Sequence, residues 1–306
     1  MRWKRASLCF TVPAITSLVA PSQRLVATQR GTPRPDVESR RRMLNALVAA
    51  EWEFELRDSP ESASTYGDYR FNNKLDDRSM AHVQLTRKAL ADFLAQLRTI
   101  DSTGLSETEQ LNKTLLTGRL TLRLEEIDLK NYEMPIDQFY GDHLRFPQMF
   151  NYMPLDNAKH FDDYLSRLLQ IPRAIDQIIA RLQQGEKDGL MPPKVLLEKV
   201  VTQCGEIEAP SGEASVFATP LKKFPASIPE TEQKRLHDSI VAAIDSKVRP
   251  AYLKLEKFLR EDYAPKGRKD PGLWALPDGD ARYRAAVRAM TTTDNTPEQI
   301  HQLGLA

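Results

Sequence analysis

Apolar residues recur every three or four positions over most of this sequence, and that recurrence restricts the fold more than any other feature. Such a spacing places the apolar side chains on one face of an α-helix. Five such stripes begin at Leu44, Leu85, Leu111, Phe161 and Leu236. A convincing series of alternating strand patterns is not found. The sequence therefore predicts a mainly α protein, a multi-helix bundle with at most a minor hairpin.

The first three stripes predict three helices in an antiparallel arrangement. The third helix begins after Ser106, and Glu109 three residues later completes the pattern of a capping box. The apolar positions assigned to these helices are Leu44, Leu47, Val48, Trp52 and Leu56; Leu85, Leu90, Phe93, Leu94 and Leu97; and Leu111, Leu115, Leu122 and Ile127.

Two longer helices follow, and each contains an internal proline. Residues 161–182 keep one face apolar over about six turns, and Pro172 is expected to kink that helix. The second long helix is predicted from Pro229 to about Tyr263, with Pro250 inside it. The residues between these helices include a short helix and a loop spaced by prolines.

Two irregular segments interrupt the helical pattern, at residues 58–78 and 131–156. Loops of this length are uncommon inside a compact domain and often carry function. The first is therefore either a functional loop or a surface loop held by its aromatic residues. The aromatic side chains of the second either line a substrate groove or fill the space between helical layers; they are Phe139, Tyr140, Phe146, Phe150 and Tyr152.

The charge balance argues against two classes of partner. The chain of 306 residues has 43 basic and 42 acidic side chains, a formal net charge of +1. This balance gives no general reason to expect nucleic acid or an anionic membrane surface as a partner. The apolar fraction of 41% is typical of folded chains and not of disordered ones.

The N-terminus has the pattern of a secretory signal peptide over residues 1–22. Three basic residues precede an apolar run at residues 6–20, which is too short to span a bilayer as a mature helix. Cleavage is expected after Ser22, with Ala27 as the alternative, so residues 23–35 would form a flexible leader. The mature protein is expected to be periplasmic or extracellular, without a transmembrane segment. A start codon assigned upstream of a cytosolic protein would give the same pattern.

Cysteine use points to no redox chemistry. Removal of the signal peptide would leave Cys204 alone, so no intramolecular disulfide is expected. A single cysteine without a motif around it is typical of a packed apolar residue and not of a nucleophile. Cys9 lacks the small residue that normally precedes a lipid-modified cysteine, which makes a lipoprotein anchor the weaker interpretation.

No catalytic motif is found in the sequence. The five histidines occur singly, and HExxH, GxSxG, GxGxxG and a phosphate-binding loop are all missing. Adjacent carboxylates, Asp76 with Asp77 and Glu125 with Glu126, would point in different directions from a helix and are expected to be solvated.

The C-terminal segment carries the most specific local pattern. Thr296 and Gln299 form a second capping box, and the helix that follows would present an apolar stripe of Ile300, Leu303 and Leu305. No residue pattern typical of a helix end closes this stripe. This pattern predicts that the chain is the N-terminal portion of a longer protein and that its fold is truncated. The apolar faces left exposed would then favour self-association.

The run LPDGDARYRAAVRAMTTTDNTPEQIHQLGLA within that segment resembles the bacterial family known as domain of unknown function 885, whose members are largely exported and zinc-metallopeptidase-like. TYGDYRFNNKLDDRS in the first irregular segment and residues 153–194 also fit the family. The resemblance spans residues 36–306, and the C-terminal motif is its most specific part.

The resemblance implies a two-lobed helical fold similar to the thimet oligopeptidase and carboxypeptidase Taq families, with a channel between the lobes. In such relatives two histidines of an HExxH motif and a downstream carboxylate hold zinc, and the motif glutamate activates water. That motif belongs to the half of the family domain that this sequence lacks. No catalytic residue, metal ligand or cofactor is therefore expected in this chain, and zinc is expected only in full-length relatives.

Only substrate-binding positions can be nominated from the resemblance. They are Asp278, Gly279, Tyr283, Arg284 and Thr291. The turn at Asp278 is expected to cap the next helix, and Tyr283 is a candidate to hydrogen-bond a substrate carbonyl or developing oxyanion. The alternatives are that Tyr283 packs between helical layers and that Thr291 only helps to end its helix.

Two hypotheses about function follow. The chain is the N-terminal portion of an exported zinc-peptidase-like hydrolase, one wall of a channel for a peptide substrate, and is inactive alone. Alternatively, it is a metal-free helical binding or scaffold protein of the cell envelope. An open reading frame with HExxH beyond codon 306 would favour the first hypothesis, and a stable secreted product of this size would favour the second.

Overall fold

The computed structural model of the protein describes residues 36–306, so the predicted signal peptide and leader, residues 1–22 and 23–35, lie outside the described residues. Within the described range the protein is helical, as the apolar spacing predicts. Its α-helices are α1 (Val37–Asp58), α2 (Pro60–Thr65), α3 (Met80–Thr99), α4 (Glu107–Asp128), α5 (Asp142–Arg145), α6 (Ala158–Lys187), α7 (Lys194–Glu208), α8 (Glu230–Ala243), α9 (Arg249–Phe258), α10 (Gly279–Thr291) and α11 (Pro297–Leu305).

Residues 36–306 form no β-strand. An isolated parallel bridge joins Pro193 and Arg268, and the minor hairpin that the sequence allowed is not formed in this range. Short 3-10 turns occupy parts of both irregular segments, at Tyr69–Phe71, Asn131–Glu133 and Phe146–Asn151. In the same range no helix is both long and apolar enough to cross a membrane.

Polar side chains at the helix starts explain where several helices begin. At the start of α4, Glu109 N donates to Ser106 Oγ at 3.3 Å, and Ser106 N donates to Glu109 Oε2 at 2.8 Å. At the start of α11, Gln299 N donates to Thr296 Oγ1 at 3.2 Å, and Thr296 N donates to Gln299 Oε1 at 2.8 Å. Each pair satisfies two N–H groups that a helix start leaves unpaired. Both predicted capping boxes are confirmed.

Helices α1, α3 and α4 form an up-down-up arrangement, as predicted. Three ion pairs between α1 and α4 each join residues 68 positions apart, which requires the two helices to run parallel; they are Arg41–Glu109, Arg119–Glu51 and Arg123–Glu55. Helix α3 runs in the opposite direction, because Thr86 near its start donates a hydrogen bond of 2.9 Å to Asp58 at the end of α1.

The buried face of α4 differs from the predicted one. Leu111 and Leu115 are 56% and 61% exposed, whereas Leu116 and Leu120 are buried. Leucines occur on more than one side of this helix, so their spacing alone does not decide which side meets α1 and α3. The prediction for Leu85 of α3 is also wrong, since its side chain is 66% exposed.

Helix α6 is the centre of the larger apolar core. Its apolar face is buried along the whole helix and packs against α8 and α9. Pro172 lies inside α6, and the helix continues through it to Lys187. The predicted kink therefore does not divide the helix. The buried apolar residues of α6 are Phe161, Tyr164, Leu168, Ile171, Ala174, Ile175, Ile178, Ile179 and Leu182.

The long C-terminal helix is continuous but not regular. Helices α8 and α9 are joined by a π-helical segment, Ile244–Val248, and a second π-helical segment, Leu259–Tyr263, follows α9. The apolar residues of the predicted stripe are all buried: Leu236, Ile240, Ile244, Val248, Tyr252, Leu255, Leu259 and Tyr263.

The two π segments explain how this stripe stays on one face. Tyr263 lies 27 positions after Leu236, whereas seven turns of regular α-helix take about 25 residues. Each π segment contains wider turns that accommodate one extra residue. The extra residues keep the later side chains in phase with the core.

Candidate functional site

A cleft of about 360 Å³ opens where the end of α1, residues 76–78, α3, α4, α5 and α6 meet. Charged side chains dominate its wall, and Val83, Ile127 and Tyr132 add apolar surface. The charged residues are Asp58, Asp76, Asp77, Arg78, Arg123, Glu126, Asp142, Arg145 and Arg181, and His82 lies among them. The cleft therefore brings together the first irregular segment and helices that lie up to about a hundred residues apart in the sequence.

Arg78 is the buried centre of this wall. Its Nη1 and Nη2 donate to Glu61 Oε1 and Oε2 at 2.9 and 3.0 Å, a bidentate pair. Its Nε donates to Asp142 Oδ2 at 3.0 Å, and the guanidinium lies 4.9 Å from the ring centroid of Phe146. Burial alone would lower the pKa of Arg78, but Asp142 and Glu61 raise it well above its usual value. Arg78 is therefore fully engaged inside the protein.

Glu61 and Asp76 hold the two ends of the first irregular segment together. Glu61 N donates to Asp76 Oδ1, and Asp76 N donates to Glu61 Oε1, both at 3.0 Å. Burial alone would raise the pKa of Glu61, but Arg78 outweighs it and holds that pKa at about 2. Burial, and then the charge of Glu61, raise the pKa of Asp76 to about 7. The two carboxyl groups thus titrate far apart because Arg78 contacts only one of them.

The expectation that Asp76 and Asp77 are solvated is wrong. Asp77 Oδ1 accepts hydrogen bonds from Ser79 N and Gln177 Nε2, both at 2.8 Å. Asp76 accepts from Glu61 N, as described above. These residues end an irregular segment and do not lie within a helix, so the argument from helix geometry did not apply to them. Residues 76–78, at the end of this segment, lie in the wall of the cleft.

A second group of side chains lines the opposite part of the cleft. Asp58 Oδ1 accepts from Thr86 Oγ1 at 2.9 Å and lies 3.0 Å from His82 Nε2. Arg123 Nη2 lies 3.9 Å from Asp58 Oδ2 and Arg123 Nη1 contacts Glu55. These contacts join the ends of α1 and α4 to the start of α3.

Arg145 and Arg181 differ from the other cations of the cleft because neither donates a side-chain hydrogen bond to any residue in the described range. Arg145 Nη2 lies 3.9 Å from Glu61 Oε2, an ion-pair contact beyond hydrogen-bonding distance. Arg181 stacks on Tyr132, with its guanidinium carbon 5.8 Å from the ring centroid. Its Nε is buried without a partner, and burial lowers the pKa of Arg181. An arginine nevertheless remains charged in a protein.

Gly185 shapes the floor beneath this region. A Cβ atom at Gly185 would lie 2.6 Å from Glu133 O, closer than such atoms approach. Only glycine therefore lets the Asn131–Glu133 turn pack directly on α6. That packing sets the position of Tyr132, which in turn stacks on Arg181.

The five positions nominated from the C-terminal motif lie outside the wall of this cleft. Asp278 precedes α10 with a left-handed backbone (φ 55°) and makes no side-chain cap hydrogen bond. Gly279 is buried, and a Cβ atom there would lie 2.5 Å from Leu273 O. Tyr283 is 49% exposed, and Arg284 is also exposed. Thr291 Oγ1 donates to Val287 O at 2.8 Å near the end of α10.

Helix α10 is held against the rest of the protein by its arginines. Arg282 Nη1 donates to Asn131 Oδ1 at 2.8 Å and Arg282 Nε donates to Pro277 O at 2.8 Å. Arg288 forms an ion pair with Glu125 of α4. Tyr283 and Arg284 point away from these contacts and remain open to solvent, so Tyr283 does not pack between helical layers.

The aromatic residues of the second irregular segment differ in their burial. Phe146 is 1% exposed and fills the core, whereas Phe139 and Tyr140 are 72% and 85% exposed. Asp137 Oδ1 fixes the turn that carries them by accepting from both of their N–H groups at 2.7 Å.

Sequence reasoning missed Arg145 and Arg181, although one signal for Arg181 was present. Arg181 lies three residues after Ile178 on α6, and Arg167 lies three residues after Tyr164. A charged residue at such a position interrupts an apolar stripe and needs a buried partner or a ligand. Arg167 Nη2 donates to Pro60 O and Ser64 Oγ, whereas Arg181 finds no comparable partner.

The described residues do not fit a zinc site. Between residues 36 and 306, no three His, Cys, Asp or Glu side chains are grouped so that they could hold a metal ion. Cys204 is buried, and burial raises the pKa of its thiol to about 12. No chemical step through a metal or a thiolate is therefore derived from these residues.

A solved structure shares this fold. The crystal structure of "the putative lipoprotein from Colwellia psychrerythraea" superposes with a TM-score of 0.79 at 21% sequence identity. The match covers 87% of this chain and 48% of that one, so this chain spans about half the length of the Colwellia protein. At this identity the likeness shows the fold alone.

Sequence comparison supplies the family. No curated protein matches the chain. The family profile described as "Bacterial protein of unknown function (DUF885)" matches residues 60–306, which include every residue that lines the cleft except Asp58 and Ser59. The match extends over well more than half of the sequence, and the chain therefore belongs to the DUF885 family of bacterial proteins.

Proposed function

We propose that this chain is the N-terminal portion of an exported zinc-peptidase-like hydrolase and supplies one wall of its substrate channel. Membership of the DUF885 family and the greater length of the Colwellia structure support this proposal. The basic and apolar N-terminal pattern supports export to the periplasm or the cell exterior. In this proposal the zinc ligands come from a part of the domain outside this sequence, in a two-lobed fold like that of thimet oligopeptidase.

The cleft is the observation that carries the proposal. Its wall alternates cationic, anionic and apolar side chains over about 360 Å³, within the range of volumes typical of ligand sites. A peptide presents the same mixture, because its backbone offers N–H donors and carbonyl acceptors and its ends carry opposite charges. A wall of one sign would instead favour a polyanion or a polycation.

Helix α10 offers a second place for substrate contacts. Tyr283 and Arg284 project from α10 into solvent, while Gly279 lets the helix start approach Trp274 closely. We retain Asp278, Gly279, Tyr283, Arg284 and Thr291 as proposed substrate-binding positions. They would act on a different part of a peptide from the residues of the cleft.

The alternative function is that of a metal-free helical binding or scaffold protein. The exposed apolar side chains near the C-terminus favour it, because a binding surface of that kind needs no catalytic group. Met290 is 87% exposed, and Leu303 and Leu305 are both 68% exposed.

Peptide binding and cleavage by two proteins separate these functions. A library of fluorescein-labelled decapeptides is titrated into the purified chain and into the longer polypeptide encoded by the same reading frame, with zinc added. The proposal expects the chain to bind peptides without cleaving them and the longer polypeptide to cleave them. Cleavage by the chain alone, or stoichiometric tightly bound zinc in it, would overturn the proposal that the zinc ligands lie outside this sequence. Binding without cleavage by the longer polypeptide would support the alternative.

A further inference from the structure

We infer that Arg145 and Arg181 form a binding site for a ligand carboxylate within the cleft. This inference deepens the proposed function and rests on it for the peptide character of the ligand. The two arginines reach the cleft from different elements, the last residue of α5 and the second half of α6. Both point to a ligand because neither guanidinium donates a hydrogen bond to an acceptor within the described range, although Arg145 lies 3.9 Å from Glu61.

Two of the four arginines in the cleft wall already bind protein carboxylates. Arg78 is bound by Glu61 and Asp142 through hydrogen bonds of 2.9 to 3.2 Å. Arg123 is paired with Glu55. These two guanidinium groups have little capacity left for a ligand. Arg145 and Arg181 keep their donors, and a guanidinium presents up to five of them in a planar arrangement suited to a carboxylate.

Most acidic side chains of the cleft wall take part in hydrogen bonds with other groups of the protein. Four acidic side chains of the wall are already engaged: Asp58 with Thr86, Asp76 with Glu61 N, Asp77 with Ser79 and Gln177, and Asp142 with Arg78. Glu126 is exposed and has no hydrogen bond or ion pair with any other described residue. None of these carboxylates accepts a hydrogen bond from Arg145 or Arg181, so the donors of both guanidinium groups remain available to a ligand carboxylate.

The side chain of Arg181 is partly buried. Its Nε lies away from solvent and has no partner, and a buried unpaired donor costs free energy unless water or a ligand satisfies it. Tyr132 covers one face of the guanidinium at 5.8 Å, so a ligand oxygen must approach along the edge of the group. The edge of a guanidinium is the direction from which carboxylates bind.

A carboxylate fits this environment better than a phosphate. Five acidic residues line the same cleft, and they would repel a dianion more strongly than a monoanion. The same acidic residues can accept hydrogen bonds from the amide groups of a peptide that bears the carboxylate. The carboxylate is either the free C-terminus of the peptide or the side chain of an internal acidic residue.

Isothermal titration of the chain with three tripeptide probes tests the site and the source of the carboxylate. The probes are N-acetyl-trialanine acid, its C-terminal amide, and the amide N-acetyl-Ala-Glu-Ala-NH2. Binding of the acid at least about tenfold tighter than its amide, the loss expected for a missing charge-assisted hydrogen bond, would assign the site to a peptide C-terminus. Comparable binding of the glutamate probe would assign it to an acidic side chain, and either result supports the inference.

Variants place the binding in the cleft. Arg181→Gln and Arg145→Gln should each weaken the binding of the preferred probe by about tenfold. Arg181→Lys should restore part of it, because it keeps the charge and loses the planar geometry. Arg173→Gln is the matched control, since Arg173 is exposed on the same helix. Circular dichroism and thermal unfolding show whether each variant is folded. If a glutamine variant is not folded, Arg145→Lys is used in its place.

Three results would overturn the inference: binding of the trialanine amide as tight as that of both carboxylate probes, no binding of any probe, or displacement of the probe by inorganic phosphate at lower concentration than by acetate. These outcomes are separable from failure of the proposed function. Carboxylate binding that depends on Arg145 and Arg181 would stand even if the longer polypeptide cleaves no peptide.

Discussion

Glu61 and Asp76 are joined by two reciprocal hydrogen bonds of 3.0 Å, in which the main-chain N–H of each residue donates to the side-chain carboxylate of the other. The pair closes the first irregular segment at the base of the cleft. Arg78, two residues later, then neutralises Glu61 but leaves Asp76 without a cation at hydrogen-bonding distance. Charge and main-chain contacts thus hold the segment in addition to Leu75, which packs in the larger apolar core.

Removing the charge of Glu61 should destabilise the protein strongly. Glu61→Gln leaves the buried Arg78 with only Asp142 as a charged partner, and breaking a buried ion pair costs about 3 kcal/mol or more. Urea unfolding followed by circular dichroism measures this loss. Glu53→Gln is the control, because Glu53 pairs with Arg57 and Arg70 at the surface, where water screens the interaction. A similar shift of the unfolding midpoint for both variants would contradict the prediction.

The pH dependence of stability should depend on Asp76. Its pKa is raised to about 7 in the folded protein, so between about pH 4 and pH 7 the folded state retains a proton that the unfolded state has lost. This contribution to the free energy of unfolding is present at low pH and disappears as the pH rises through 7. Each unit of pKa difference corresponds to about 1.4 kcal/mol.

Asp76→Asn removes this titration while keeping a side-chain oxygen that can accept from Glu61 N. We expect the stability of the variant relative to the parent to increase as the pH rises from 4 to 7, and to change little above that. Urea unfolding at four pH values across the window measures the trend. Parallel curves for the parent and the variant would show that Asp76 does not titrate there.

Two glycine substitutions should have opposite effects. Gly185→Ala places a methyl group 2.6 Å from Glu133 O, and such overpacking costs about 1–3 kcal/mol. Gly118→Ala adds a methyl group within α4 where no atom lies within 4 Å, and it should stabilise by about 0.5–1 kcal/mol because alanine favours a helix. Thermal unfolding of both variants gives the comparison. Stabilisation by Gly185→Ala would mean that the turn at Glu133 moves readily.

The thiol of Cys204 should be unreactive in the folded protein. It is buried within the apolar core, and burial raises its pKa to about 12, so almost no thiolate forms at neutral pH. Labelling with Ellman's reagent should be slow without denaturant and complete in concentrated urea. Fast labelling of the native protein would show that α7 opens frequently.

The apolar side chains of α11 should promote self-association. Leu303 and Leu305 are each 68% exposed on one short helix, and exposed apolar surface of this kind favours contact between chains. Replacing both leucines with glutamate should lower the apparent mass in sedimentation equilibrium at high protein concentration. Leu85→Glu provides the control, because Leu85 is equally exposed on α3. A monomeric parent protein would contradict the prediction.

Helical periodicity predicted the class of the fold because apolar residues recur at helical spacing in every long helix. It also located both capping boxes, at Ser106 and Thr296, since these depend only on residues three positions apart. It failed for α4, where leucines surround the helix and the buried side is chosen by α1 and α3. The residue identities alone do not contain that choice.

The cleft was harder to predict because its residues meet only after folding. Arg78 and Glu61 are 17 positions apart and Arg78 and Asp142 are 64 apart, and no motif links them. The irregular segment at residues 58–78 was recognised as a candidate, but the cations that complete the cleft lie on α5 and α6. A charged residue at a position where the face of α6 is otherwise apolar is the sequence signal that could have indicated Arg181, and the sequence analysis missed it.

The two π segments of the C-terminal helix bear on how sequences of this family should be aligned. Each segment holds one residue more than a regular helix would need over the same turns, so the two act as insertions inside a continuous helix. A relative that lacks one residue within 244–248 should have a regular helix there and the same buried face on both sides. If the alignment places no gap at the missing residue, every later position is compared with a side chain rotated by about 100°. Gaps in this helix therefore record changes of helix type and not differences in loop length.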